Sequence, residues 1–157
     1  GGGTVKVVFM TSESKPPTAE FVNNVQTLID PVTNSGQGVG IAPIGHFVTV
    51  QGATNSRIAI GLHLTFSNGT YENYKDAIES AIDEYFLELN RGWQDTQKAE
   101  IGNVSNSGLV IRISQIESRL LNIEGIEDIQ HTTLNNVEEN LTLGLDELAI
   151  RSVVTNG

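Results

Sequence analysis

Three histidines, a cluster of carboxylates and a glycine-rich segment are the residues whose types could do chemistry in this chain. His46, His63 and His131 could hold a metal or move protons, but no two stand at ligand spacing on an expected helix. The His-Glu-x-x-His pattern is also absent. Structural or exposed roles are therefore expected for all three. Asp83, Glu84 and Glu88 are close enough in sequence to suggest an acid/base pair. They fall on the outer side of an amphipathic helix, where nothing raises a carboxylate pKa, so a solvated face is expected. Gly36, Gly38 and Gly40 have the composition of a phosphate loop, yet no Lys-Ser/Thr follows and no helix begins there. Their expected use is a flexible or tightly turning loop. No Gly-x-Ser-x-Gly elbow occurs among the serines, and the absence of cysteine removes thiolate chemistry and disulfides. The expectation is a chain with no catalytic, metal or cofactor site.

Composition narrows the partners. The net charge is -10, and the nine Lys and Arg residues are scattered from Lys6 to Arg151. Phosphate backbones require clustered cations, so nucleic acid is not an expected partner, and the same charge repels anionic membranes. No apolar run approaches the roughly 20 residues that cross a bilayer. Zero cysteines fit assembly in a reducing cytoplasm. What is left is a protein partner, a small molecule, or structure alone.

The elements that position these residues follow from periodicity. Residues 4–10 alternate as a strand, and Thr18 caps a helix with Phe21, Val22, Val25, Leu28 and Ile29 on its apolar face. Asp30-Pro31 ends that helix. A loop over residues 33–40 leads to a strand containing Phe47, Val48 and Val50. Residues 57–66 form the cleanest strand, with Ile58, Ile60, Leu62, Leu64 and Phe66 on one face. The longest helix starts at Thr70 and carries a stripe from Tyr71 to Leu89 that includes Ile78, Ile82 and Phe86. Residues 91–108 have no clear period. Ser114 to Glu117 reads as a capping box opening a helix that Gly125 closes. Strands follow at residues 126–133 and within 148–154.

This order predicts an α+β fold, with a ferredoxin-like βαββαβ core plus additions and helices packed on a mostly antiparallel sheet. Residues 4–157 read as one α+β region, or as two small subdomains covering residues 4–100 and 101–157. Ile41, Pro43 and Ile44 are apolar although they stand in a loop. They either close the chain's own core or meet a partner. Trp93 has the same two readings, and burial is the better one because aromatic side chains are usually covered. These four residues are the candidate interface.

The segment GVGIAPIGHFVTV (residues 38–50) resembles a hallmark turn of baseplate J-like proteins, a Gly-apolar-Ala-Pro-apolar-Gly turn that feeds a strand. The surroundings are similar too: a helix ending at Asp30-Pro31 before it, an I-x-I-x-L-x-L strand and a Tyr-rich helix after it. EGIEDIQ (residues 124–130) resembles that family's helix end and following strand, and Glu147-Leu148-Ala149-Ile150 its closing segment. The likeness runs from Thr4 to about Val154. It implies a C-terminal fragment of a longer baseplate protein, a non-enzymatic wedge component of a phage or prophage contractile tail. Its implied partners are other wedge proteins, its location the virion tail, and its assembly the host cytoplasm. The high negative charge adds an expectation of weak or no self-association. The alternative is a receptor- or glycan-binding module at the tail tip; a carboxylate-based hydrolase would require two facing carboxylates in a pocket.

Overall fold

A computed structural model of the protein describes residues 3–93 and 108–157. The chain divides into two compact units, Gly1–Thr54 and Asn55–Gly157. The sequence reading was one region, or two divided near residue 100; the division here falls between Thr54 and Asn55, at the start of a strand.

The first unit is a β-α-β crossover. Strand β1 (Thr4–Phe9) is followed by helix α1 (Ala19–Ile29), a 3-10 turn (Val32–Asn34) and strand β2 (Phe47–Gly52). β1 and β2 pair in parallel, with Thr4 opposite Phe47 and Phe9 opposite Gly52. A parallel pair cannot be joined by a hairpin, so α1 supplies the connection and packs on β2. Thr18 caps α1, its Oγ1 accepting from the Phe21 amide at 3.2 Å.

The second unit holds strand β3 (Thr54–Phe66), helix α2 (Tyr71–Arg91), a short strand β4 (Val110–Ile111), helix α3 (Ile113–Leu121), strand β5 (Ile126–Leu134), a short strand β6 (Leu141–Thr142) and strand β7 (Glu147–Asn156). Its main sheet has the order β5-β3-β7, and β4 and β6 form a separate antiparallel pair. The fold is α+β. The ferredoxin-like arrangement does not appear among the described residues, because the strands fall into separate sheets and β1 and β2 belong to the other unit.

The core follows the periodicities. Ile58, Ile60 and Leu62 on β3 are buried, as are Ile78, Ile82, Tyr85 and Phe86 on α2. α2 packs on β7 and on α3, so its apolar stripe is covered from two directions. Asn68 and Gly69 turn the chain into α2, where Asn73 Oδ1 accepts from the Thr70 amide at 2.9 Å. The start of α3 differs from the sequence reading. Arg112, not Ser114, is the N-cap, and the Ile113 amide is met by Asn140 Oδ1 at 3.0 Å. A tertiary contact supplies the acceptor that the Ser114 capping box was expected to give. Trp93, at the end of α2, is 3% exposed and its indole N–H donates to the Leu145 carbonyl at 2.9 Å. The expected aperiodic stretch continues into residues 94–107, outside the described residues.

One buried polar residue ties α2 to β7. Asn90 is 6% exposed; its Nδ2 donates to the Ala149 carbonyl and its Oδ1 accepts from the Ala149 amide, both at 2.8 Å. The amide thus substitutes for a neighbouring strand. Replacing Asn90 with Ala should cost about 1–3 kcal/mol, since both backbone groups of Ala149 lose their partner. Ile82→Asp should cost roughly 3 kcal/mol or more by placing a charge among Ile78, Phe86 and their neighbours. Denaturant melts of the two variants check both values, and a wild-type-like midpoint for Ile82→Asp would mean that the inner face of α2 lies elsewhere.

Candidate functional site

Asp30 organises the loop between α1 and β2. Its carboxylate is buried at 2% exposure and receives three donors. Oδ1 accepts from the Gly36 amide at 2.9 Å, and Oδ2 accepts from the Ser35 hydroxyl at 2.6 Å and the Val48 amide at 2.9 Å. The Ser35 and Val48 bonds hold the Asp30 pKa below the usual carboxylate value against the opposing effect of burial, and the Gly36 amide adds to them. Gln26, one turn earlier, extends the grip. Its Nε2 donates to the carbonyls of Asp30 at 2.6 Å and Val48 at 2.9 Å, while its Oε1 accepts from the Val50 amide at 2.7 Å.

The loop in turn closes the end of α1. The amides of Ile41 and Ala42 donate to the carbonyls of Leu28 and Ile29 at 3.1 and 2.8 Å. These are helix-end acceptors that would otherwise need water or a glycine cap. The approach is so close that a Cβ on Gly40 would lie 2.4 Å from the Ile29 carbonyl oxygen. Gly36 and Gly38 take left-handed φ values of 75° and 71°, which L side chains rarely adopt. The three glycines therefore serve a tight turn, the second of their two expected uses, and no phosphate cradle is needed to explain them.

This bracing presents apolar side chains to solvent. Ala42 is buried and anchors the turn, but Ile41 is 70% and Ile44 78% exposed, and Pro43 is exposed between them. Val32, Val39 and Leu28 are exposed nearby in sequence, and α1 has no buried residue. Of the candidate interface residues, Ile41, Pro43 and Ile44 share one loop. Trp93 does not belong with them: it is a buried side chain of the other unit, filled in by α2 and the 145 segment.

The remaining reactive types have ordinary partners. Asp83 accepts a bidentate pair from Arg151, at 2.8 and 2.9 Å, and Glu79 meets the same guanidinium at 3.1 Å. The Asp83 hydrogen bond holds Arg151 above the usual arginine value, against the effect of burial. Glu88 pairs with Arg119, whose guanidinium also lies 4.7 Å from the centre of the Tyr85 ring. His63 and His131 meet edge to face at 5.7 Å, and His131 Nδ1 stands 3.3 Å from Glu138 Oε1. Among the described residues, no group of three His, Asp or Glu side chains could hold a metal ion, and no helix is long and apolar enough to cross a membrane. The roles of Asp30, Gln26 and Asn90 escaped the sequence reading. The signal available was a polar residue near the end of each helix, Gln26 and Asn90, and an Asp directly after α1.

Because the folded-state pKa of Asp30 is depressed, its contribution to stability is complete above the unfolded value of about 3.9 and is lost as pH falls through the folded value. Asp30→Asn should destabilise the first unit at pH 7, since an amide nitrogen would face donors on one side. The variant should also lose less further stability on acidification below about pH 4 than the wild type does. Thermal melts of both proteins across that range test the assignment; identical acid profiles would remove Asp30 from the linkage.

Residues 1–52 match the model of the baseplate J-like central domain, and residues 58–157 match that of the baseplate J-like protein C-terminal domain. The break between the two matches coincides with the division between the structural units. Two relatives from Bacillus subtilis (strain 168) align over most of the chain. An uncharacterized protein, YqbT, is 32% identical over 94% of this chain and 38% of its own length. The phage-like element PBSX protein XkdT is 31% identical over 91% of this chain and 36% of its own length. The chain thus spans less than two fifths of these relatives. It belongs to the baseplate J-like family.

Proposed function

We propose that this chain is a structural part of a phage or prophage tail baseplate, working through contacts with other wedge proteins and without catalysis. Membership of the baseplate J-like family and the likeness to a protein of the phage-like element PBSX support the setting. The observation that carries the contact role is the loop holding Ile41, Pro43 and Ile44. Two isoleucines stand mostly in water on a turn whose backbone is fixed by Asp30, Gln26 and the end of α1. Covering an isoleucine is worth about 1.5–3 kcal/mol, and a loop already held in one shape gives up little entropy when a partner arrives. On this reading the protein assembles in the host cytoplasm and resides in the virion tail, and its charge of -10 limits self-association. A receptor- or glycan-binding role at the tail tip loses its aromatic candidate, since Trp93 is buried.

The protein carrying both Ile41→Asp and Ile44→Asp should melt like the wild type, because neither side chain is in the core. Its capture of the other wedge components should weaken by at least about tenfold, the loss expected when central apolar anchors are removed. A folded double variant that joins the wedge with unchanged affinity would show that this loop is not the docking surface.

A further inference from the structure

The first unit carries apolar surface that its own residues do not close. Eight of the twelve exposed large apolar side chains among the described residues fall within Gly1–Thr54, and Val50 is the largest apolar side chain buried there. The second unit buries its isoleucines along β3 and α2, so the deficit is local. Single exposed hydrophobic residues are ordinary; a concentration of them marks a contact surface.

Part of that surface is a groove between β1 and α1. Residues paired across adjacent strands share a face of the sheet, and Val7 lies opposite Val50 while Phe9 lies opposite Gly52. Val50 is buried, and a Cβ on Gly52 would lie 2.6 Å from the Pro17 side chain and 3.4 Å from that of Val22. This is therefore the face on which α1 packs. The helix does not cover all of it. Gln26 reaches the Val50 amide and the Val48 carbonyl, which point away from β1, so α1 is held over β2 and its outer edge. Toward β1 it offers Phe21, whose ring meets that of Phe9 edge to face at 5.6 Å. Val7 and Val5 continue the apolar row along β1, and Val5 stays 46% and Phe21 53% exposed. β1 is also paired along one side alone among the described residues. The parallel ladder turns the backbone groups of Val5 and Val7 toward β2 and those of Thr4 and Val8 outward. Two strands by themselves are marginal in water, and parallel sheets are normally covered on both faces.

We propose that the polypeptide extends beyond residues 1–157 and that a segment of this extension lies in the groove, packing apolar side chains on Val5, Val7, Phe9 and Phe21. The length of the relatives supports a cover within the same polypeptide. YqbT and XkdT align with 94% and 91% of this chain, yet more than three fifths of each lies outside the aligned stretch. A segment already joined to the unit binds as an intramolecular partner, at an effective concentration that a separate molecule does not reach. A second copy of the chain would bring a further charge of -10 to the contact. The groove is a different surface from the loop of Ile41 and Ile44, and the proposal does not depend on what that loop docks to.

The test uses the absence of cysteine from the chain, which lets one introduced thiol report on its own position. Val5→Cys and Phe21→Cys are made separately in the 157-residue chain and in the full-length gene product. Each protein is reacted with a maleimide, and modification is read by mass spectrometry on the peptide that carries the thiol. Both side chains are exposed, so the substitutions leave the fold intact. Fast labelling is expected in the 157-residue chain, and labelling slower by at least about tenfold in the full-length protein purified alone. Ile44→Cys, outside the groove, should label at the same rate in both. Equal rates for Val5→Cys and Phe21→Cys in the two proteins would overturn the proposal, as would a gene product with no residues beyond these. Slow labelling of the shorter chain that is relieved by dilution would assign the groove to a second copy. Protection that appears only when other tail proteins are added would assign it to one of them, and either result would overturn the proposal too. None of these outcomes bears on the docking loop, so the two readings fail separately.

Discussion

A polar atom taken out of water must be met by another, and most of the irregular structure in this protein answers to that demand. Asp30 gathers three donors at the end of α1, and the loop from residue 33 to 47 takes its shape from them. In the second unit Asn90 performs the same service for β7, and Asn135 and Asn156 do so for β3, accepting from the amides of Ala59 and Leu64 at 2.9 Å. Helices and strands supply their own partners; many of the places where chain meets chain out of register are closed by polar side chains. Two buried atoms escape the rule among the described residues, His46 Nδ1 and Thr132 Oγ1. The first belongs to the candidate docking loop.

Apolar face and strand periodicity are legible in the sequence alone. The alternation of Ile58, Ile60 and Leu62 and the stripe through Ile78, Ile82 and Phe86 mark surfaces that must be covered, and they are. Cross-chain pairing was not legible in the same way. Ser114-x-x-Glu117 satisfies the local pattern for a helix start, yet Asn140 reaches Ile113 from 27 residues away and the start moves. Asp30 read as a helix stop ahead of Pro31, a local meaning that is correct and incomplete, because its three hydrogen-bond donors lie 5, 6 and 18 residues onward. The ferredoxin-like expectation failed for a related reason. A strand order along the chain says nothing about which strands share a sheet, and among the described residues β1 and β2 pair only with each other.

The candidate docking loop was legible from a mismatch of type and place. Isoleucines in a glycine-rich turn must either find a core or stay in water, and the sequence leaves both open. The structure puts Ala42 inside and Ile41 and Ile44 outside, a split that follows from the turn geometry. The amides of Ile41 and Ala42 are committed to α1, so successive side chains leave in different directions. Trp93 had the same ambiguity and resolved the other way, because its indole N–H finds the Leu145 carbonyl only by entering the interior.

The grip of Gln26 and Asp30 on β2 has a consequence for aggregation. A two-stranded parallel sheet has two open edges, each a template on which a foreign strand could grow. On β2 the groups at Phe47 face β1, where the Phe47 amide donates to Gly3. Those at Val48 and Val50 face the other way, and there the amides of both and the carbonyl of Val48 are occupied by the side chains of Gln26 and Asp30. The helix thus plugs the sheet edge with two side chains instead of a third strand. A neighbour cannot extend this sheet at β2 by backbone addition without first displacing them. At high concentration this edge of β2 therefore stays closed to strand-by-strand polymerisation.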